Sequence, residues 1–376
     1  EVSNTLEQLK AQSILYSHVQ PPSWLKPQDW KPEDIVATTN SIVHLPSYVA
    51  GEACTIDATP AYFTTCSVDY RFEHRAPECP RWKEFLNQLW PNDPQSVDLL
   101  QDWFGYCLTP DTRQQKILML IGPKRSGKGT IARVIRGVVG DGNVCGPTLA
   151  SLQTNFGMWP LLGKTLAIVS DARLSGRSDQ AVITERLLSI SGEDAQTIDR
   201  KNLEPVTTKL LTRFMIISNE LPRLQDASGA FAGRMLILRL TESFYGREDR
   251  ALTEALQVEK AGILHWAIEG WKRLRERGYF VQPDSSEQLR EQLDELSSPI
   301  GAFVTARCEL GPMLSAEVND IYKAWKDWCE ESGRDPGNVQ VFGRDLLSLC
   351  PGLVVKQHRL GVHRARKYEG IGIVPF

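Results

Sequence analysis

One stretch constrains this chain more than any other: residues 118–130, which read Leu-Met-Leu-Ile-Gly-Pro-Lys-Arg-Ser-Gly-Lys-Gly-Thr. A short apolar run ends at Gly122, and four residues separate this glycine from Gly127 and the lysine that follows it. Because glycine accepts φ values that a Cβ penalises, this order predicts a strand, a tight loop and the start of a helix. Backbone N–H groups in such a loop, together with the positive end of the helix dipole, bind polyphosphates. The predicted phosphate-binding residues are Gly122, Pro123, Lys124, Arg125, Ser126, Gly127, Lys128, Gly129 and Thr130.

Within this loop, Lys128 is expected to reach the β- and γ-phosphates of a nucleotide as a flexible point charge. The next residue departs from the commonest pattern, because Gly129 stands where a Ser or Thr usually binds Mg²⁺. The hydroxyl comes one position later, at Thr130, which we expect to contribute to the metal site. The order Gly-Lys-Gly-Thr resembles the loop of nucleoside monophosphate kinases, so a P-loop kinase is one interpretation of this loop taken alone.

Two later apolar runs end in polar residues that suit the same site. Residues 163–171 end in Asp171, residues 213–219 end in Asn219, and each run predicts a buried parallel strand. Ligands collect at the carboxyl edge of such sheets. Asp171 is therefore expected to hold Mg²⁺, and Asn219 to contact the γ-phosphate or orient the attacking water. With a fourth strand at 235–240, residues 113–245 predict a P-loop α/β domain.

The flanking regions divide into three further parts. Apolar residues at helical spacing follow Pro80, so residues 1–112 predict a mostly helical domain, with short extended pieces at 45–47 and 62–65. Its Trp and Phe residues are expected to form core, not a base-stacking platform. Residues 246–299 predict helices followed by a polar linker at about 287–296. Residues 300–376 predict a small separate domain.

The end of the chain is basic and strand-like. Two predicted helices precede it, and helices followed by a hairpin rich in Lys and Arg predict a winged-helix-like domain. No acid lies between residues 356 and 367, which suits contact with DNA phosphates, although a solvated charged hairpin has the same composition. The predicted DNA-binding residues here are Lys356, Arg359, Arg364, Arg366 and Lys367.

Composition excludes several classes of protein. The net charge is only −3, so nucleic-acid contact must come from local basic patches. No apolar run approaches the roughly 20 residues of a membrane span, and nothing near Glu1 resembles a secretory signal, so we expect a cytoplasmic protein. The eight scattered cysteines predict reduced thiols. Four residues, Cys54, Cys66, His74 and Cys79, lie close enough in sequence to suggest zinc, but their spacing fits no standard pattern.

The order of these motifs resembles the superfamily 3 helicases, which are AAA+ ATPases. The phosphate loop is followed by a strand ending in Ser-Asp, by Ser-Gly-Glu-Asp at 191–194, by Ser-Asn-Glu-Leu-Pro at 218–222, and by Gly-Arg before a last strand. Within that superfamily the chain is most similar to the helicase part of phage and plasmid primase–helicases, relatives of the poxvirus primase–helicase. Leu-Gln-Asp-Trp-Phe-Gly-Tyr at 100–106 and Trp-Ala-Ile-Glu-Gly at 266–270 extend the resemblance over most of the chain.

The resemblance implies a role for each motif. Lys128 matches the Walker A lysine, Asp171 the Walker B acid and Asn219 the sensor of the γ-phosphate. Arg234 matches an arginine finger that enters the neighbouring subunit's site, which requires a ring, and the family forms hexamers. Residues 192–202 resemble a hairpin that contacts single-stranded DNA in the channel of the ring. Lys201 is the first candidate for that contact and Arg200 the second.

Two departures from the family pattern leave questions open. The second motif often carries paired acids, whereas Asp171 stands between Ser170 and Ala172. The water-polarising group is therefore either Asp171 itself or another acid such as Glu193. With Gly129 as the second departure, we expect modest ATPase activity. Three interpretations follow: an ATP-driven hexameric helicase of a mobile element, a nucleotide or small-molecule kinase, and a catalytically weak, ATP-gated DNA-binding module.

Overall fold

The computed structural model describes residues 19–172, 179–222, 229–360 and 363–374, and also 5, 7–9, 14–15, 224 and 226. For 358–360 and 363–365 it describes the backbone. The described strands are β1 Ser23–Trp24, β2 Ile35–Ala37, β3 Ile42–His44, β4 Thr55–Ile56, β5 Tyr62–Phe63, β6 Ile117–Ile121, β7 Val144–Cys145, β8 Leu166–Val169, β9 Ala195–Arg200, β10 Leu203–Lys209, β11 Arg213–Ser218, β12 Met235–Arg239, β13 Cys308–Glu317, β14 Val354–Leu360 and β15 His363–Ile373. The described α-helices are α1 Leu45–Ala50, α2 Pro80–Leu89, α3 Pro94–Leu108, α4 Lys128–Val139, α5 Leu149–Leu152, α6 Gln180–Ser191, α7 Ala230–Arg234, α8 Leu252–Val258, α9 Lys260–Arg277, α10 Glu287–Ser297, α11 Pro299–Arg307, α12 Val318–Glu331 and α13 Val339–Leu349.

A five-stranded parallel sheet lies at the centre of the molecule, with the strand order β12-β6-β11-β8-β7. The four strands predicted from the apolar runs at about 118–121, 163–171, 213–219 and 235–240 are therefore confirmed. They are β6, β8, β11 and β12. Strand β7 was not predicted, because two residues are too short to show a period. All residues of β6 and β11 are buried, which is typical of a parallel sheet covered on both faces.

The two faces of the sheet pack against different helices. Leu118 and Leu120 of β6 belong to a core cluster that also contains residues of α2, α3, α4 and α9. Ile117 and Met119, which point to the opposite face, belong to a second cluster with residues of α6 and α10. Helices α2 and α3 of the N-terminal region and helix α9 therefore cover one face of the same sheet, together with α4.

The N-terminal region combines helices with short strands. Helices α2 and α3 are confirmed, and Trp82, Trp103 and Phe104 are fully buried core residues. In addition, β1 pairs with β5, and β2–β4 form a second small sheet, so short strands accompany the predicted helices. The predicted extended piece at 45–47 is the start of α1, because Pro46 lies in the first turn of a helix, where its missing N–H costs nothing.

A buried arginine ties β11 to the end of α3. Arg213, the first residue of β11, is 2% exposed, and its guanidinium donates hydrogen bonds to the backbone carbonyls of Thr109 and Asp111. The same guanidinium lies over the ring of Tyr106, 4.4 Å from its centroid. Carbonyls beyond the end of a helix attract cations, so these two carbonyls compensate part of the charge of Arg213.

The predicted polar linker at 287–296 is instead helix α10, packed on the sheet. Leu289 and Leu293 lie four residues apart on one face of this charged helix, and Leu293 is fully buried in the second core cluster. The apolar stripe is only one residue wide, so the charged residues around it conceal its period. Residues 246–299 therefore contribute α9 and α10 to the core, with α9 packed along α3.

Replacing Leu293 by Ala tests whether α10 is part of the core. We expect the free energy of unfolding to fall by about 2–5 kcal/mol, because a fully buried leucine loses both its transfer free energy and its packing. Urea denaturation followed by circular dichroism measures the change. The exposed Glu295→Ala on the same helix is the control and should change stability by less than about 0.5 kcal/mol. Equal stability of both variants would contradict the assignment.

The C-terminal part of the chain has its own core. Its elements follow in the order α11, β13, α12, α13, β14 and β15, and the sheet order is β13-β15-β14 with antiparallel pairs. Phe303, Trp325 and Phe342 pack together at its centre. The two predicted helices and the terminal hairpin are present. Strand β13 was not predicted, because Gly311 and Pro312 interrupt it where the register shifts.

Candidate nucleotide-binding site

The loop between β6 and α4 depends on two of its glycines. Gly127 has φ +90°, and a Cβ there would lie 2.9 Å from Leu89 and 3.1 Å from Phe85 of α2. A Cβ at Gly122 would collide with the backbone carbonyl of Leu240. In contrast, a Cβ at Gly129 would meet only the end of the Arg133 side chain, at 3.4 Å. Packing therefore explains Gly122 and Gly127, but it does not require the unusual Gly129.

The ammonium group of Lys128 lies inside this loop. Lys128 is 7% exposed, and its Nζ donates to the carbonyls of Gly122 at 2.6 Å and Pro123 at 2.7 Å, and to Ser126 Oγ at 3.1 Å. Burial lowers the pKa of Lys128 below the usual value for lysine. The three oxygen atoms that accept hydrogen bonds from Lys128 are uncharged, so they do not neutralise its ammonium group. The site therefore favours the binding of an anion.

The segment after β12 packs against the outside of the loop. Ser243 Oγ donates to the carbonyl of Lys124, and the Phe244 N–H donates to the carbonyl of Arg125, both at 2.9 Å. In a trans peptide the C=O and the next N–H point in opposite directions, so the N–H groups of Arg125 and Ser126 point away from this segment. The α4 N-terminus has no side-chain cap. Its first N–H groups and those of the loop are the donors that a phosphate requires.

These elements surround a cavity of about 620 Å³. The loop, the ends of β8 and β11, helix α2 and the segment after β12 all line it. The ends of β8 and β11 contribute Asp171 and Asn219, because β11 lies between β6 and β8 in the sheet. Cations outnumber acids on its wall, so the cavity suits a polyanion. The cations are Lys124, Arg125, Lys128, Arg133, Arg247 and Arg250, and the acids are Asp171, Glu248 and Asp249.

The structure therefore brings the loop residues 124–130 together with Asp171 and Asn219, because all of these predicted site residues line this cavity. Thr130 Oγ1 accepts a hydrogen bond from Arg133 at 3.2 Å. A threonine hydroxyl and a carboxylate on one cavity are oxygen ligands of the kind that Mg²⁺ prefers. No group of three or more His, Cys, Asp or Glu residues that could hold a metal occurs in the described ranges, the suggested zinc cluster included.

Arg234 lies elsewhere. It ends α7 directly before β12, and Met235 pairs with Ile117 at the amino edge of the sheet. The cavity is at the carboxyl edge, about 16 Å away along a five-residue strand. The guanidinium of Arg234 donates to the carbonyl of Leu188 and, at 3.0 Å, to Ser191 Oγ, so it holds the C-terminal end of α6. Arg234 therefore does not reach the cavity of its own chain.

Glu193, the suggested second acid, is also absent from the cavity wall. Its carboxylate accepts hydrogen bonds from Lys209 at 2.8 Å and from Thr112. Burial raises the pKa of Glu193, but these two bonds outweigh burial and the pKa is lowered. The acids that sequence reasoning missed are Glu248 and Asp249, within the charged run Arg-Glu-Asp-Arg at 247–250. The sequence signal that could have identified them is this cluster of four charged residues, which follows the last strand of the parallel sheet.

The predicted hairpin is present as β9 and β10. A two-residue turn, Lys201 and Asn202, connects the strands, and Asn202 has φ +61°. Lys201 is exposed at the tip, whereas Arg200 donates to the carbonyl of Glu204 across the turn at 2.9 Å. Of the two predicted cations, Lys201 is thus the one presented to solvent, and the Glu193–Lys209 ion pair fixes the base of the hairpin.

Replacing Lys201 by Ala should weaken the binding of single-stranded DNA. Each phosphate contact contributes about 0.7 to the slope of log K against log salt, so we expect the slope to decrease by about this amount. Fluorescence anisotropy with a labelled oligonucleotide at several salt concentrations measures it. Lys83→Ala, which removes a 59%-exposed lysine on α2, is the control. An unchanged slope for the Lys201 variant would exclude the hairpin tip from the DNA interface.

The C-terminal cations are partly neutralised. Lys356 lies 2.7 Å from Glu369, and Lys367 lies 4.0 Å from Glu317, although no acid lies between the two lysines in sequence. Arg366 is exposed. Arg359 and Arg364 pair across the hairpin, and their side chains lie outside the described part of the structure. Strand pairing therefore brings acids from β13 and β15 beside residues 356–367, a stretch whose own sequence contains no acid.

Residues 120–234, less than a third of the chain, match the model of a family of unknown function, DUF5906. The chain is 23% identical over 138 residues to a DNA primase-polymerase of Nitratiruptor phage NrS-1, covering 37% of this chain and 19% of that protein. It is 29% identical over 79 residues to an uncharacterized mitochondrial protein of Marchantia polymorpha, covering 21% and 44%. The chain thus spans less than half the length of these curated relatives.

Solved structures extend the similarity to the fold. The C-terminal region of NrS-1 matches with a TM-score of 0.51 and 13% identity, covering 99% of this chain and 91% of that chain. A second structure of that region has a TM-score of 0.47 and 15% identity, covering 98% and 90%. Weak sequence similarity and a shared fold therefore relate this chain to the C-terminal region of a phage DNA primase-polymerase. No helix in the described ranges has the length and apolarity that a membrane crossing requires.

Proposed function

We propose that this chain is the ATP-driven motor of a phage or mobile-element DNA replication protein, with an AAA+ P-loop core of the superfamily 3 helicase type. One observation carries the proposal: Lys128, Asp171 and Asn219, distant in sequence, line one cation-rich cavity at the carboxyl edge of a parallel sheet. The similarity to a phage primase-polymerase supports a role in phage replication. The protein would act in the cytoplasm of the host cell.

The cavity residues fit the hydrolysis of ATP at its γ-phosphate. Lys128 and the N–H groups at the start of α4 bind the β- and γ-phosphates and stabilise the charge that develops there. Thr130 and Asp171 would hold Mg²⁺, which neutralises charge on the bridging phosphate oxygens when bound. Asn219 orients the attacking water beside the γ-phosphate. Asp171, which lies two residues after the end of β8 and lines the cavity, accepts the proton of that water in this scheme.

The remaining basic features supply the DNA contacts. In this scheme six copies assemble into a ring, and Lys201 at the hairpin tip binds single-stranded DNA in its channel. The C-terminal helices and hairpin form a winged-helix-like domain whose exposed Arg366 contacts duplex DNA. Since Arg234 lies at the opposite edge of the sheet from its own cavity, it acts in this scheme on the nucleotide of a neighbouring subunit.

The test is ATP hydrolysis by the chain with and without single-stranded DNA, combined with the mass of the assembly. The proposal expects hydrolysis that DNA stimulates and a ring of several subunits. Turnover by a monomer that ignores DNA would overturn it. The same assay distinguishes the motor from a catalytically weak, ATP-gated DNA-binding module. Such a module would bind ATP and DNA but would not hydrolyse ATP.

One observation favours a second candidate, a nucleotide or small-molecule kinase. Arg247 and Arg250 line the cavity of their own chain, as the lid arginines of a P-loop kinase would. A kinase transfers the γ-phosphate to an acceptor other than water. Chromatography of the products from labelled ATP therefore decides: inorganic phosphate supports the motor, and a labelled nucleotide or metabolite supports the kinase.

A further inference from the structure

We infer that the segment after β12 binds the nucleoside of the nucleotide, through a stacking surface formed by Phe244 and Arg247. This inference rests on the proposed function, because it assumes that the loop binds the phosphates. It goes further in stating where the base lies and which residues make the chain select a nucleoside triphosphate over a bare polyphosphate.

The position of the segment follows from the sheet order. Strand β6 carries the loop, β11 and β8 lie on one side of it, and β12 lies on the other. Asp171 and Asn219 therefore mark the end of the cavity that receives the γ-phosphate, whereas the segment after β12 borders the opposite end. A nucleotide with its γ-phosphate beside Asn219 extends its nucleoside toward residues 244–253.

That end of the cavity has a different chemistry from the phosphate end. Phe244 is half-buried, packs against the first core cluster and lines the cavity. The guanidinium of Arg247 lies over its ring, 5.8 Å from the centroid, and donates to the carbonyl of Ser243 at 3.1 Å. Aromatic rings and guanidinium planes both stack on nucleobases, whatever the base. Leu252 adds apolar surface beside them.

The surface is held in place by the phosphate loop itself. The Phe244 N–H donates to the carbonyl of Arg125 at 2.9 Å, and Glu248 lies 3.5 Å from the guanidinium of Arg125. The peptide group between Arg125 and Ser126 thus joins the loop to the stacking surface through its carbonyl. Its N–H is one of the proposed phosphate donors. Polar groups that can read the edge of a base, the Gln88 amide and the Thr253 hydroxyl, line the same cavity.

The test compares two ligands, ATP and inorganic tripolyphosphate, each with Mg²⁺, by calorimetric titration of the full chain. For Phe244→Leu, which keeps apolar volume but removes the aromatic face, we expect about a tenfold loss of ATP affinity and less than a twofold change for tripolyphosphate. Phe244→Ala should behave likewise with a larger loss. Tyr245→Ala, at a neighbouring aromatic residue that is 79% exposed and outside the cavity, should bind both ligands as the natural chain does.

The possible failures are distinguishable. Equal affinity of the natural chain for ATP and tripolyphosphate, or unchanged ATP binding by Phe244→Leu, would overturn the stacking surface while leaving the phosphate site intact. Loss of tripolyphosphate binding by Phe244→Leu would show that the segment only supports the loop, which also overturns the inference. If Lys128→Ala binds tripolyphosphate as tightly as the natural chain does, the proposed phosphate loop itself is wrong.

Discussion

Lys128→Ala should abolish ATP hydrolysis, with a rate reduced about a thousandfold or more. The ammonium of Lys128 lies in the loop, held by two backbone carbonyls and the Ser126 hydroxyl, at the position where the β- and γ-phosphates would enter. Hydrolysis develops charge on those phosphate oxygens, and alanine supplies no cation to compensate it. A coupled assay for ADP release measures the loss.

The control for this variant is Lys164→Ala. Lys164 also donates to a backbone carbonyl, that of Gly142 at 2.5 Å, but it precedes β8 and so lies at the amino edge of the sheet. Its removal should leave hydrolysis within about twofold of the natural rate. Hydrolysis by Lys128→Ala at the rate of this control would disprove the assignment of the loop. Thermal melting of both variants shows whether the fold is retained.

Arg234→Ala should abolish hydrolysis, by about a thousandfold, while leaving ATP binding intact. The reason is its position at the edge of the sheet opposite the cavity of its own chain. In the proposed ring, Arg234 would act on the nucleotide of a neighbouring subunit. Titration with a fluorescent ATP analogue measures binding, and ADP release measures turnover. Normal hydrolysis by Arg234→Ala would show that the arginine only holds α6.

Two further measurements separate the catalytic role from the structural one. Ser191→Ala removes a hydrogen-bond partner of Arg234 but keeps the guanidinium, so it should retain most activity. Mixing inactive Lys128→Ala and Arg234→Ala chains should restore part of the activity, because some interfaces then combine an intact loop with an intact arginine. A mixture that stays inactive would contradict action between subunits.

Much of the sheet was predictable from sequence because its signals are local. The apolar runs that became β6, β8, β11 and β12 are short, continuous and followed by Gly, Asp, Asn or charged residues, as buried parallel strands are. Strand order was not predictable, since it depends on which strands pair, and only pairing puts Asn219 between the loop and Asp171. The roles assigned to Lys128, Asp171, Asn219 and Arg234 remain predictions.

The errors have a common physical origin in long-range packing. Helix α10 appeared to be a linker because Leu293 is one leucine among charged residues, and its burial depends on the sheet face that it meets. Glu193 appeared to be a candidate for catalysis because its sequence neighbours resemble a motif, but a lysine sixteen residues later binds it. Glu248 and Asp249, the acids that the prediction missed, are distant from the phosphate loop in sequence. The fold places them beside the loop on the cavity wall.

The anchoring of β11 has a mechanical consequence. Its first residue, Arg213, is bound to the end of α3, its body is paired on both sides, and its last residues carry Asn219 into the cavity. A slip of one residue along its axis would turn every buried side chain to the opposite face and break the arginine's hydrogen bonds. The position of β11 along its own axis is therefore fixed. If Asn219 contacts the γ-phosphate as proposed, we expect any movement that follows the loss of that phosphate to leave β11 in place.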